Sequence, residues 1–142
     1  MDFVAKLFDP SYYEATAYRL EADSWVQLPS MKTSRGHHAC AVLDNSVYVI
    51  GGEYAHTSVE RFDLSSLTWS EEQILNPGFV HGPITALVHN SSIYIVNGGP
   101  KDEYLNVFKL LVGPEGNILG QEHVGQISIG VEYLLSAFQI GC

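Results

Sequence analysis

The chain is poor in positive charge. It has seven Lys and Arg against sixteen Asp and Glu in 142 residues, a formal net charge of −9. That excess repels phosphate backbones and anionic bilayers, which argues against nucleic acid or a membrane surface as partner. Cysteine is scarce: Cys40 and Cys142 are the two, and no CxxC or Cys/His pair has zinc-finger spacing. A disulfide-rich module and a structural zinc site are therefore not expected. Six Pro and thirteen Gly are too few for a collagenous or low-complexity chain. Long hydrophobic runs are missing as well. The longest uncharged stretch, near Val131 to Ile140, is interrupted by Glu132 and Gln139, short of the ~20 apolar residues a membrane helix needs. The opening MDFVAKLFDPSYYE lacks the charged start, long apolar centre and cleavage site of a signal peptide, so secretion is not expected. With two thiols read as reduced, a cytoplasmic setting is expected. Asn90-Ser91-Ser92 is a formal glycosylation sequon, of use only in a secreted protein. The 46% of hydrophobic residues suffices for an ordinary core and excludes a disordered tail.

What is present is repetition. VYVIGG (Val47 to Gly52) recurs as IYIVNG (Ile93 to Gly98) and as AFQIGC (Ala137 to Cys142), with aromatics at Tyr48, Tyr94 and Phe138. Gly98 and Gly141 take glycine positions of the pair Gly51-Gly52. A second aromatic series, Tyr18, Phe62 and Phe108, keeps the same period of 44 to 46 residues, and Trp25 and Trp69 each follow their Tyr or Phe by seven. A period near 45 built from strand-forming residues predicts one small antiparallel sheet per repeat. In the clearest copy, His37 to Leu43 and Val47 to Ile50 flank the turn residues Asp44-Asn45-Ser46. Alternating Val59 to Phe62 adds a third strand, Asp63 to Leu67 a turn, and Thr68 opens a fourth.

These residues resemble the kelch repeat: an apolar strand, a Tyr-bearing strand ending in Gly-Gly, an aromatic-bearing strand, a turn and a Trp. The resemblance implies an all-β fold, a partial kelch-type β-propeller of four-stranded antiparallel blades, with about three blade-equivalents. Residues 1–33 would hold an extension and the second half of a blade, 34–78 a complete blade, 79–124 a divergent one, and 125–142 the first half of a third. In the divergent copy Glu115, inside the turn-rich GPEGN, falls where the Trp is expected. Propellers close with four to eight blades, so two copies supplying about six blade-equivalents make a homodimer a candidate way to complete the ring.

Most of the repeated residues have a structural explanation. Gly51 and Gly52 lack any P-loop or GxGxxG context and fit a strand end needing close backbone approach. Tyr18, Trp25, Tyr48, Phe62, Trp69, Tyr94, Phe108 and Phe138 fill the space between neighbouring sheets. His37 and His38 are adjacent, so on a strand they diverge and cannot share a metal. No metal or cofactor is expected. The resemblance brings to mind the copper sugar oxidases of the kelch superfamily, but their Tyr, Cys and His set cannot be matched here, and no nucleophile sits in a catalytic frame. The chain is expected not to be an enzyme. Its variable loops are the candidate binding face. The turn entering a blade's first strand and the loop after its double glycine should share one face, which singles out Arg35, His37, Tyr54, His56, His81 and Tyr104. Arg35 offers a bidentate contact to a partner carboxylate, and the two tyrosines are of a type common at interface hot spots. The expectation is a non-catalytic module for a protein or peptide partner. The resemblance implies substrate recognition for a cullin-type ubiquitin ligase, or actin binding. The alternatives are a kelch-superfamily enzyme, such as a sugar oxidase or sialic acid mutarotase, and a truncated isoform or fragment without activity of its own.

Overall fold

A computed structural model describes residues 3–4, 17–52, 58–70, 73–74, 84–98 and 104–128. They contain strands and no helix. The first sheet joins β1 (Phe3–Val4), β2 (Ala17–Glu21) and β3 (Ser24–Leu28) in that order. The second runs β4 (Ala39–Leu43), β5 (Ser46–Ile50), β6 (Ser58–Asp63) and β7 (Thr68–Trp69), with β8 (Gln73–Ile74) also pairing with β6. The third is β9 (Ile84–His89), β10 (Ser92–Asn97), β11 (Tyr104–Val112) and β12 (Ile118–Ser128). All pairings are antiparallel.

Local chemistry accounts for the hairpins. Asn90 and Ser91 link β9 to β10 with φ of 46° and 53°, the paired positive values of a turn whose twist matches that of its flanking strands. Asp44, at φ 51°, opens the β4–β5 turn at the Asp44-Asn45-Ser46 segment expected to be one. Asp63 caps the β6–β7 turn, its carboxylate accepting the Ser65 and Ser66 amides at 2.9 and 3.0 Å. Those two amides are the main reason its carboxyl is held below the ordinary range, with Arg61 adding a smaller effect.

Packing explains why β5 does not alternate. All five of its residues are buried, because both faces of this sheet are covered. On one face Tyr48, Ile50, Val59 and Ala41 meet Ile93, Ile95, Phe108 and Leu110 of the third sheet. On the other, Val47, Val49 and Phe62 meet Leu28 and Met31, with Trp69 alongside. Adding 46 carries Val47, Val49 and Phe62 onto Ile93, Ile95 and Phe108. The same kind of apolar face is thus presented in the same direction by successive sheets, as stacked repeats require. Phe62 and Trp69 are cross-strand partners with ring centroids 4.9 Å apart, and the indole N–H donates to the Pro29 carbonyl at 2.6 Å. Between the second and third sheets, the Tyr48 hydroxyl donates to the Gly116 carbonyl at 2.8 Å. Burial, the largest influence on this phenol, raises its pKa. Gly116 has φ 77°, and a Cβ there would lie 2.9 Å from the Arg61 guanidinium. Arg61 is itself held by Ser46 Oγ at 2.7 Å and Asp63 at 2.9 Å.

Four expectations need correction. Trp25 is 46% exposed and does not fill an inter-sheet gap. Its seven-residue spacing matches that of Trp69, but the tighter Ala22-Asp23 turn pairs it with Leu20 instead of the repeat aromatic Tyr18, which pairs with Gln27. The position opposite Phe108 belongs to His123, not Glu115, and the two rings meet edge-on at 5.1 Å. A longer β11–β12 hairpin leaves Glu115 in its turn. The third sheet continues to Ser128, so residues 125–128 lie in it, beyond the boundary placed at 124. Cys40 is disulfide-bonded and is not the reduced thiol expected. Phe138 and Gly141 lie outside the described residues, as do residues 129–142 of the half-blade expected over 125–142.

Tyr48→Phe should leave the sheets intact and lower unfolding stability by about 1 kcal/mol, the net worth of one hydrogen bond, as read from urea denaturation midpoints.

Candidate functional site

The end of the second sheet where β4 begins and β5 finishes is fixed by register, Ala39 lying opposite Ile50. The segment entering β4 and the double glycine leaving β5 therefore share that end, as the repeat pattern predicts. Gly51, at φ 61°, donates its N–H to the Ser58 carbonyl at 2.8 Å, which closes the base of the intervening loop. Gly52, at φ 95°, lies so close to the entering segment that a Cβ would stand 2.5 Å from the Gly36 carbonyl. Only glycine meets both demands. The pair does structural work, and no ligand need be invoked to explain it.

Arg35 is the centre of this end, and its role differs from the one expected. It is 0% exposed and so cannot reach a partner's carboxylate. Its Nη2 donates to Glu60 Oε1 at 2.8 Å and to Ser58 Oγ at 3.1 Å, while Nη1 donates to the carbonyls of Gly51 and Ser58 at 3.0 and 3.1 Å. Glu60, also 0% exposed, accepts the amides of Lys32 and Thr33 at 2.7 and 3.0 Å. One ion pair thus ties the segment entering β4 to the end of β5 and the start of β6. A buried charge is tolerated when it is paired and hydrogen-bonded. Glu60 was not singled out from sequence. Its signal was faint: in β6, SVERFD, it lies on the same face as Phe62 and opposite the apolar Val49.

His37, at φ 51°, stays exposed in the turn beside this pair. His38 points inward. Burial first, and the Arg35 guanidinium second, lower its pKa from 6.5 to about 4, and His37 adds to the effect. In the third sheet the corresponding end carries Tyr104, the first residue of β11, which is 46% exposed and opposite Ser128. At +46 the ion pair is not repeated: Asn106 stands for Glu60 and accepts from Gln126 Nε2 at 2.9 Å. Gly98 still packs tightly, a Cβ there meeting Leu105 Cδ2 at 2.5 Å. Tyr94 is half-buried in β10. Tyr54, His56 and His81 lie outside the described residues. Of the six residues picked for this face, the structure exposes His37 and Tyr104 and buries Arg35. What these exposed groups offer is an aromatic surface and hydrogen bonding. Among the described residues no three of His, Cys, Asp and Glu converge on a metal position, and no helix is long and apolar enough to cross a membrane.

Comparison with known proteins agrees with this architecture. Residues 34–76 match the Kelch motif. Kelch-like protein 6 of Homo sapiens is 30% identical over 92 residues, covering 62% of this chain and 14% of that protein. An F-box/kelch-repeat protein of Arabidopsis thaliana is 32% identical over 104 residues, covering 68% and 25%. Beta-scruin of Limulus polyphemus is 33% identical over 60 residues, covering 39% and 7%. The chain therefore spans a quarter or less of these relatives' lengths. The solved structure of YjhT superposes with a TM-score of 0.58 at 14% identity, covering 80% of this chain and 45% of that one, a likeness of fold. The chain belongs to the kelch-repeat family, and β4–β7 and β9–β12 are two four-stranded antiparallel blades of its β-propeller.

Glu60→Ala strands the buried guanidinium and should cost about 3–5 kcal/mol of stability, measured by urea unfolding. Acid should weaken the fold through His38. Its folded pKa is about 4 against 6.5, so the unfolded chain takes up the proton first. Its contribution is complete above pH 6.5 and is lost as pH falls toward 4, with a slope of up to about 1.4 kcal/mol per pH unit. The difference in unfolding midpoint between the parent and His38→Gln, followed from pH 7 to 4.5, should show this slope.

Proposed function

We propose that the chain is a non-catalytic protein-interaction module that engages a protein or peptide segment through the loop-bearing end of its blades. The observation that carries this reading is the Arg35–Glu60 clasp. It commits the charges at that end of the second sheet to holding the backbone, while His37 beside it and Tyr104 at the corresponding end of the third sheet remain exposed. Rigid scaffolds with variable loops are where recognition concentrates, and tyrosine gives large contact area at low entropic cost.

The finer reading is substrate recognition within a cullin-type ubiquitin ligase. Its support is that four of the similar proteins are F-box/kelch-repeat proteins by name. The whole protein's partners rest on this proposal, since fold alone does not fix function.

The test is quantitative mass spectrometry of proteins co-purifying with the chain and with His37→Ala/Tyr104→Ala. Both sites are exposed, so thermal stability should be unchanged. A defined set of partners should fall at least tenfold in the double variant, and ligase subunits should be among the proteins retained. Identical partner profiles for the two would reject the loop-bearing end as the binding face.

A further inference from the structure

The two blades finish very differently at their outer edge. The edge of the second sheet is built from two short strands, β7 and β8, each two residues long and both paired with β6. The corresponding edge of the third sheet is β12, eleven residues long. Among the described residues β12 pairs with β11 and with no other strand. Natural sheets protect such edges with proline, lysine, short strands or inward charge. β12, ILGQEHVGQIS, has no proline, lysine or arginine.

Its register places apolar side chains outward. Pairing with β11 shifts at two points, so that Leu119 and Val124 have no cross-strand partner. These bulged residues are 65% and 53% exposed, and Ile127 is 49% exposed. Bulges commonly re-aim side chains at functional edges. Here each bulge residue precedes a glycine, Gly120 or Gly125, at which a Cβ would meet nothing within 4 Å. The space above the strand is open. Between and after the bulges, Gly120 to His123 and Gly125 to Ser128 keep regular pairing with β11, enough backbone for a short added strand.

We infer that the outer edge of β12 is a second binding site, which takes an extended, neutral-to-basic peptide segment of a partner protein as a fifth strand of the third sheet. Backbone hydrogen bonds would supply the attachment, and Leu119, Val124 and Ile127 would select apolar residues at alternate positions. Charge fixes the choice of occupant. The chain carries −9 overall, and β12 adds Glu122 with no lysine or arginine. A segment with positive charge is favoured, whereas a second copy of this acidic chain is repelled. This edge meets the loop-bearing end only at Ser128, opposite Tyr104, and its test positions, Val124 and Ile127, leave His37 and Tyr104 in place, so either reading can fail without the other.

The test uses the full chain and a nine-residue synthetic peptide alternating valine with threonine and lysine, compared with a counterpart in which glutamate replaces lysine. Hydrogen exchange should slow at least fivefold across the amides of β12 with the lysine peptide in excess, and the glutamate peptide should bind at least tenfold more weakly. Val124→Lys and Ile127→Lys, each at an exposed position, should keep the parent's thermal midpoint and lose the protection. Protection confined to other strands, none at all, or equal binding by both variants overturns the site. A dimer seen by light scattering without peptide and abolished by Val124→Lys overturns the choice of partner, since the edge would then belong to a second copy.

Discussion

The pairing of Arg35 with Glu60 is the constraint on which the best-formed blade depends. Neither side chain reaches solvent, so each could be buried only with the other present and with further hydrogen bonds from its surroundings. Those bonds draw in the backbone of residues 32 and 33, Gly51 and Ser58. The entry to β4, the exit from β5 and the start of β6 are thereby held in one arrangement, and the double glycine is the shape that lets them come this close. The interaction specifies geometry more than it adds net stability, because desolvating two charges offsets much of their attraction.

Sheet order and strand chemistry were legible in the sequence because they are local. Period, turn residues and alternation placed β4 to β7 within a residue or two, and Tyr48 and Phe62 were read as packing residues. The errors arose where a side chain's fate depends on something distant or on the length of a turn. Arg35 next to a glycine reads as a loop cation until Glu60, on another strand, is known to lie against it. Trp25 and Trp69 share a spacing but not a turn, and so end in different settings. Glu115 was assigned by counting seven residues, and a longer hairpin moved the position to His123.

The candidate site divides in the same way. That the loops gather at one end followed from strand direction, and the register of Ala39 with Ile50 agrees with it. Which side chains face outward there did not follow, because exposure is settled by competition between burial, pairing and turn geometry. His37 escapes through a left-handed turn, whereas His38 is driven in and loses basicity. The loop end is thus a place where a firm floor, made from charges facing inward, carries a surface that can change in sequence without disturbing that floor.

The offset of 46 that superimposes one blade's apolar face on the next has an evolutionary reading. Each blade already presents on one side what its neighbour requires on the other, so a duplicated stretch of gene of that length would encode a unit that fits on arrival. Chain length in such a protein can grow or shrink by whole blades through unequal recombination. Drift within a blade then does the remaining work, as the replacement of Glu60 by Asn106 at the corresponding position illustrates.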